Sequence, residues 1–165
     1  MSIHWNTPPE ILWPVRSMVG RIYLDPCSNE TSVVDAEHTF TQPTFDGLLQ
    51  LWAANTPKGR ACFVNPPYGR DYNDKWAAKW SDEATDSRDR GVHLFALVQA
   101  SPGTKWFHQY MLSCDAVCFP NARIAFLRDG APVKGANFGN ALFYAGPDRE
   151  RFATQMEFTG GILFR

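Results

Sequence analysis

Residues 61–69 constrain this chain more than any other stretch. Ala61-Cys62-Phe63-Val64 is a run of β-favouring residues that leads straight into Asn65-Pro66-Pro67-Tyr68-Gly69. Two consecutive prolines fix φ and supply no N–H donor, so neither a helix nor a sheet ladder continues through them. The chain must leave a strand end here in a rigid turn that presents an Asn side chain, unladdered carbonyls and an aromatic ring. An exocyclic amine on a flat heteroaromatic ring has two N–H donors and needs two acceptors. The Asn65 side-chain oxygen and the Pro66 carbonyl are such acceptors, and Tyr68 offers a face on which a flat base can stack. Asn65, Pro66, Pro67 and Tyr68 are the expected catalytic turn.

The order of elements around this turn points to a fold class. Pro8 to Val19 reads as a helix, with Thr7 as N-cap, Pro8 at the first position and Pro14 as a kink or break. Arg21 to Leu24 is a short strand, and a polar loop over Ser28 to Ser32 follows it. Ala36 to Thr41 is a second, weakly signalled strand, and Leu48 to Ala54 a brief helix or turn. Asp74 to Thr85 reads as a helix, with Trp76 and Trp80 four residues apart on one face. Val92 to Val98 is almost continuously apolar and of strand length, which predicts a strand buried on both faces. Thr104 to Leu112 reads as another helix, and Ala116 to Phe119, Ile124 to Leu127 and Ala141 to Tyr144 as late strands. Strands alternating with helices, then a strand-rich end, predict an α/β fold with a mostly parallel sheet and an antiparallel edge strand. Ligands of such sheets sit outside the carboxyl ends of the strands. Asp25 and Asn65 both fall just past strand ends, so one crevice is expected to hold both.

Composition narrows the function classes. With 165 residues, 44% hydrophobic and 20% charged, the chain is expected to form one ordered domain with a sizeable core. No apolar stretch approaches the roughly 18–20 residues of a membrane span, and no secretion signal is visible at the start. A cytoplasmic protein is the expectation. The formal net charge is −1, so contact with a nucleic acid would have to rest on how charge is distributed rather than on its sum. Cys27, Cys62, Cys114 and Cys118 form no CxxC pair and the four histidines no HxxxH spacing. No metal site is expected, and the thiols read as reduced and largely buried.

Asn65-Pro66-Pro67-Tyr68 resembles the catalytic motif of amino-methyltransferases that use S-adenosylmethionine, the DNA N6-adenine methyltransferases above all. Three further segments support this: Trp5-Asn6-Thr7-Pro8, Leu24-Asp25-Pro26-Cys27-Ser28, and Asp46-Gly47-Leu48 followed by Trp52. Their order is that of the small phage and prophage DNA N-6-adenine-methyltransferases, and the chain as a whole resembles that family. The resemblance implies a Rossmann-like methyltransferase fold without a separate target-recognition domain. It also implies S-adenosylmethionine as cofactor, DNA as substrate, and a phage or prophage protein that shields DNA from host restriction.

Residue roles follow from the same resemblance. Asn65 and Pro66 would hold the N6 amine of a flipped adenine, with Tyr68 stacked on the base. Asp25, with Pro26 and Cys27, would meet the methionine ammonium of the cofactor. Thr7 and Pro8 would lie at the cofactor's carboxylate end, with Trp5 packed over the cofactor or pinning the N-terminus, and Asp46 at the cofactor's adenine amine. Asp35 and Glu37 are candidates for the ribose. Phe126, in Arg123-Ile124-Ala125-Phe126, would pack on the flipped base opposite Tyr68. Arg70, Arg123 and Lys134, and beyond them Lys75, Lys79 and Arg151, are candidates for DNA phosphates, with residues 130–139 as a DNA-contacting loop. The loop after Asp25 departs from the usual pattern, because Cys27-Ser28-Asn29-Glu30-Thr31 has no glycine. Three alternatives remain open on the residues alone: methylation of cytosine N4, methylation of a protein glutamine, and a silent module that binds cofactor or nucleic acid without turnover.

Overall fold

The computed structural model of the chain describes residues 5–133 and 137–165. Lys134 lies outside the described residues. Helices α1 (Pro9–Val19), α2 (Arg70–Arg90), α3 (Lys105–Ser113) and α4 (Arg149–Met156) flank a seven-stranded sheet. Its strands are β1 (Leu24–Asp25), β2 (His38–Thr39), β3 (Ala61–Val64), β4 (His93–Gln99), β5 (Ala116–Pro120), β8 (Asn140–Ala145) and β9 (Gly160–Phe164). A separate hairpin pairs β6 (Leu127–Arg128) with β7 (Ala131–Pro132).

The sheet order is β2-β1-β3-β4-β8-β5-β9. The first four strands run parallel. β8 is antiparallel to both β4 and β5, and β9 is antiparallel to β5. The expected single antiparallel edge is thus corrected to two reversed strands, one of them interior. β8 returns from β5 without an intervening helical crossover, and a strand reached that way runs antiparallel to its neighbour.

Side-chain alternation builds two cores. Ala61 and Phe63 of β3, with Phe95 and Leu97 of β4, face a layer containing Ile11, Leu12 and Val15 of α1 and Phe152 of α4. Cys62, Val64, Leu94, Ala96 and Val98 face the opposite layer, where Trp76 and Trp80 of α2 meet Phe107 and Tyr110 of α3. A period of two on strands buried on both faces explains why these segments read as unbroken apolar runs.

Several expectations shift. Pro8 caps α1, and Pro9 is its first residue. Thr7 makes no capping bond, since the Pro8 carbonyl accepts from Ile11 and Leu12 instead. Pro14 removes one donor but does not break the helix, which continues to Val19. The first strand sits later than Arg21 to Leu24, ending on Asp25 itself. Of the helix or turn expected over Leu48 to Ala54, the turn is what forms: a short 3-10 turn at Gly47–Leu49 and a further turn over residues 52–55. α2 extends well beyond Asp74 to Thr85, because its polar flanks lie on an exposed face that gives no apolar period. Of Ile124 to Leu127 only Leu127 is in a strand: Ile124 and Phe126 are buried ahead of β6, the Phe126 carbonyl accepting from the Val133 N–H at 2.8 Å. The segment read as a DNA loop opens with the hairpin turn Asp129-Gly130, both residues at positive φ, as a two-residue turn between twisted strands requires.

Candidate active site

Strand order reverses at β1: β2 lies on one side of it and β3 on the other. In a parallel α/β sheet this switch point opens a crevice past the carboxyl ends of the two strands. Asp25 ends β1, and Asn65 follows the last residue of β3. Both line a cleft of about 470 Å³, together with Trp5, Thr7, Pro26, Cys27 and Asp46. Of the residues expected at the cofactor, Pro8 is buried outside the lining, while Asp25 and these five come together here. So do Asn65, Pro66 and Pro67 of the catalytic turn.

Asp25 is 3% exposed. One carboxylate oxygen accepts from the Cys27 N–H at 3.1 Å and the other from the Ser32 hydroxyl at 3.3 Å. Burial pushes its carboxyl up to about 6, against the lowering pull of these hydrogen bonds. Among the described residues, no lysine, arginine or histidine pairs with it. Thr7 is equally enclosed, and its hydroxyl has no hydrogen-bond partner among the described residues. An anionic acceptor on Asp25 and an unsatisfied hydroxyl on Thr7 suit a ligand that carries both an ammonium and a carboxylate. In that respect the donor set fits an amino-acid moiety such as that of S-adenosylmethionine.

The glycine-free loop after Asp25 takes its shape from side chains. The Asn29 Oδ1 accepts from the Thr31 N–H and hydroxyl, closing a local turn. Asn6, 4% exposed, ties this loop to the N-terminal segment. Its amide donates to the Thr31 carbonyl at 2.9 Å and hydroxyl at 2.8 Å, and accepts from Asn29 at 2.7 Å. On its other side the Asn6 backbone pairs with Leu127 of β6. Along the chain Asn6 carries no sign of this role; a buried amide between two polar segments is a signal only once the contact is known.

The opposite wall is set by Gly47. A Cβ there would stand 1.8 Å from the Pro26 carbonyl oxygen, so only glycine allows the two loops this close. The indole N–H of Trp52 donates to the Gly47 carbonyl at 2.8 Å, and the Trp52 ring stacks on Trp76. Asp46, half-buried at the rim, spends one oxygen on the Leu48 N–H. Phe40 and Phe45 line the same end, 6.1 Å apart. Asp35 and Glu37 are off this cleft and paired instead with Arg21 and Arg60.

Asn65 is held at both ends of its amide. Its Nδ2 donates to the Trp5 carbonyl, and its Oδ1 accepts from the Tyr68 hydroxyl at 3.1 Å. One lone pair of that oxygen stays free. Tyr68 lies behind Asn65, half-buried, with its ring edge-on to Phe126 and Phe138. Burial raises its phenol well above the ordinary value, so the hydroxyl keeps its proton. Phe126 is fully buried beside Tyr68 and Trp5, not across the cleft from Tyr68. Its neighbours Ile124 and Trp5 draw it into the core.

The expected phosphate contacts separate. Arg70 opens α2 and Arg123 lies beside Gly139, both exposed. Lys75 and Arg151 are exposed too. Lys79 is engaged within the fold, 2.6 Å from the buried Glu83 and over the Trp52 ring. Burial raises all four thiols, Cys114 to about 11 and Cys118 to about 12, so none is an activated nucleophile. Among the described residues no group of His, Cys, Asp or Glu is arranged to hold a metal ion, and no helix is long and apolar enough to cross a membrane.

No curated protein matches the chain. A family model does, over residues 2–154, and on that match the chain belongs to the DNA N-6-adenine-methyltransferase (Dam) family.

Proposed function

We propose that this chain methylates the N6 amine of an adenine flipped out of DNA, with S-adenosylmethionine as the methyl donor, on a single Rossmann-like methyltransferase domain. The observation that carries the reading is the pairing of Asp25 and Asn65 across one switch-point cleft, in a member of this family. When bound, the cofactor supplies an electrophilic methyl group on a sulfonium. Everything else falls to the chain's own side chains, and positioning is worth most of the rate in such a transfer.

Asp25 takes the cofactor's ammonium, and Thr7, within the Trp5–Pro8 segment, donates to its carboxylate. Pro26 and Cys27 shape the backbone beside them. Asp46 keeps one oxygen for the cofactor's adenine amine, next to Phe40 and Phe45. The remaining lone pair of the Asn65 Oδ1 and the Pro66 carbonyl accept the two N6 hydrogens of the target, which aims the nitrogen lone pair toward the methyl. Pro67 stiffens the turn. Tyr68, backed by Phe126, supplies the aromatic surface for the flipped base. Arg70 and Arg123 meet phosphates, with Lys134 as a further contact.

The test is transfer of labelled methyl from S-adenosylmethionine to unmodified DNA, with nucleoside analysis of the product. N6-methyladenine is the expected product. N4-methylcytosine would keep the roles of Asn65 and Pro66 and move the substrate to cytosine. No label in DNA despite bound cofactor would overturn the reading and leave a protein glutamine or a silent binder.

A further inference from the structure

Asn140 is the first residue of β8 and pairs with Gln99, the last residue of β4, at the same end of the sheet as Asn65. It is 5% exposed. Its Nδ2 donates to the Val98 carbonyl at 3.3 Å and to the Tyr68 hydroxyl at 3.5 Å. Its Oδ1 has no partner among the described residues. A buried acceptor left unmatched weakens a fold, and an apolar residue of similar shape would serve packing better. Packing alone therefore does not account for an amide here.

The account lies one hydrogen bond further on. By accepting from Asn140, the Tyr68 hydroxyl is left with its own proton to donate. The nearer acceptor is the Asn65 Oδ1 at 3.1 Å; the Leu97 carbonyl at 3.3 Å competes for it. The other end of the Asn65 amide donates to the Trp5 carbonyl. A flipped amide would set oxygen against oxygen at Trp5, so both contacts favour one orientation.

We propose that Asn140 is a positioning residue, which acts through the Tyr68 hydroxyl to hold the Asn65 side-chain oxygen ready for the target amine. The proposal rests on the role of Asn65 given above and gives Tyr68 a second duty beside its ring.

The test compares the wild type with Tyr68→Phe, Asn140→Leu and the double variant. Each single change should lower kcat for DNA methylation about tenfold and leave KM for the cofactor within about twofold, with the double no worse than Tyr68→Phe, because both cut one path. The melting temperature of Asn140→Leu should equal or exceed that of the wild type, since the unmatched acceptor is gone. In NMR spectra, the Asn65 side-chain amide should be slow to exchange in the wild type and lose that protection in each variant. Wild-type kcat in Asn140→Leu, or losses that add and follow a falling melting temperature, would overturn the proposal. If the wild type methylates no DNA, the functional reading fails separately. The amide signal then decides alone: lost protection in Asn140→Leu supports the positioning role, and an unchanged signal refutes it.

Discussion

At the scale of single residues, Asp25 and Asn65 make opposite demands on their surroundings. Burial raises the Asp25 carboxyl to about 6, with no cation beside it among the described residues. An acid whose folded pKa is raised adds stability below its unfolded value, and that contribution disappears as pH rises through the folded value. The ligand-free protein should therefore lose stability from about pH 4 to about pH 6, and Asp25→Asn should abolish that slope in melting curves. A cationic ligand needs the ionised form, so cofactor affinity should be about tenfold weaker at pH 5 than at pH 7. Titration calorimetry at the two pH values checks this, and equal affinities would remove Asp25 from the ammonium site.

Asn65 needs a donor on one side and an acceptor on the other. Aspartate has no donor for the Trp5 carbonyl, and leaving that contact unmade costs about 1–3 kcal/mol. Asn65→Asp should therefore lower turnover by about 10–100-fold. Asn65→Ala should lower it further, about 10²–10³-fold, as when a transition-state hydrogen bond is removed. Cofactor affinity should hold in both. Single-turnover rates beside equilibrium cofactor binding separate the two effects.

At the scale of elements, the cleft is held by loops pinned to one another. The Gly47 loop touches the Pro26 carbonyl, so a single methyl group must push the two apart. Gly47→Ala should destabilise the protein by about 1–3 kcal/mol and weaken cofactor binding, read by denaturant melts with and without cofactor. Asn6→Ala removes three side-chain contacts between the N-terminal segment and the loop after Asp25. Its effect should be larger on cofactor affinity than on melting temperature, because the segment it frees lines the cleft while the sheet stays whole.

At the scale of the whole molecule, the near-neutral net charge argues for few phosphate contacts. Each cation that meets a phosphate contributes about −0.9 to the slope of log affinity against log salt. Neutralising Arg70 or Arg123 should flatten that slope by about 1 each and raise KM for DNA with little change in kcat. A slope unmoved by both changes would place the DNA elsewhere on the surface.

Features whose cause is local are legible along the chain. A proline pair after an apolar run must end a strand in a rigid turn, so β3 and the Asn65 turn were legible to the residue. Apolar runs announced β4, β5 and β8, and for β4 burial on both faces as well. The motif segments announced most of the residues that line one cleft, Pro8 and Tyr68 excepted, and the family they resemble is the one the chain belongs to. Tertiary structure alone decided what depends on a distant partner. The amphipathic period of α2 covers only its buried middle, so its ends were invisible, and α4 and β9 gave no pattern strong enough to read. Asp46-Gly47 reads as a turn pair in sequence, yet its glycine is dictated by Pro26, 21 residues earlier. Asn140 carries no local signal at all, because its meaning lies in a hydroxyl 72 residues away. Local propensity is written in neighbours along the chain, whereas the hydrogen bonds that orient Asn65 join segments brought together only by the folded sheet.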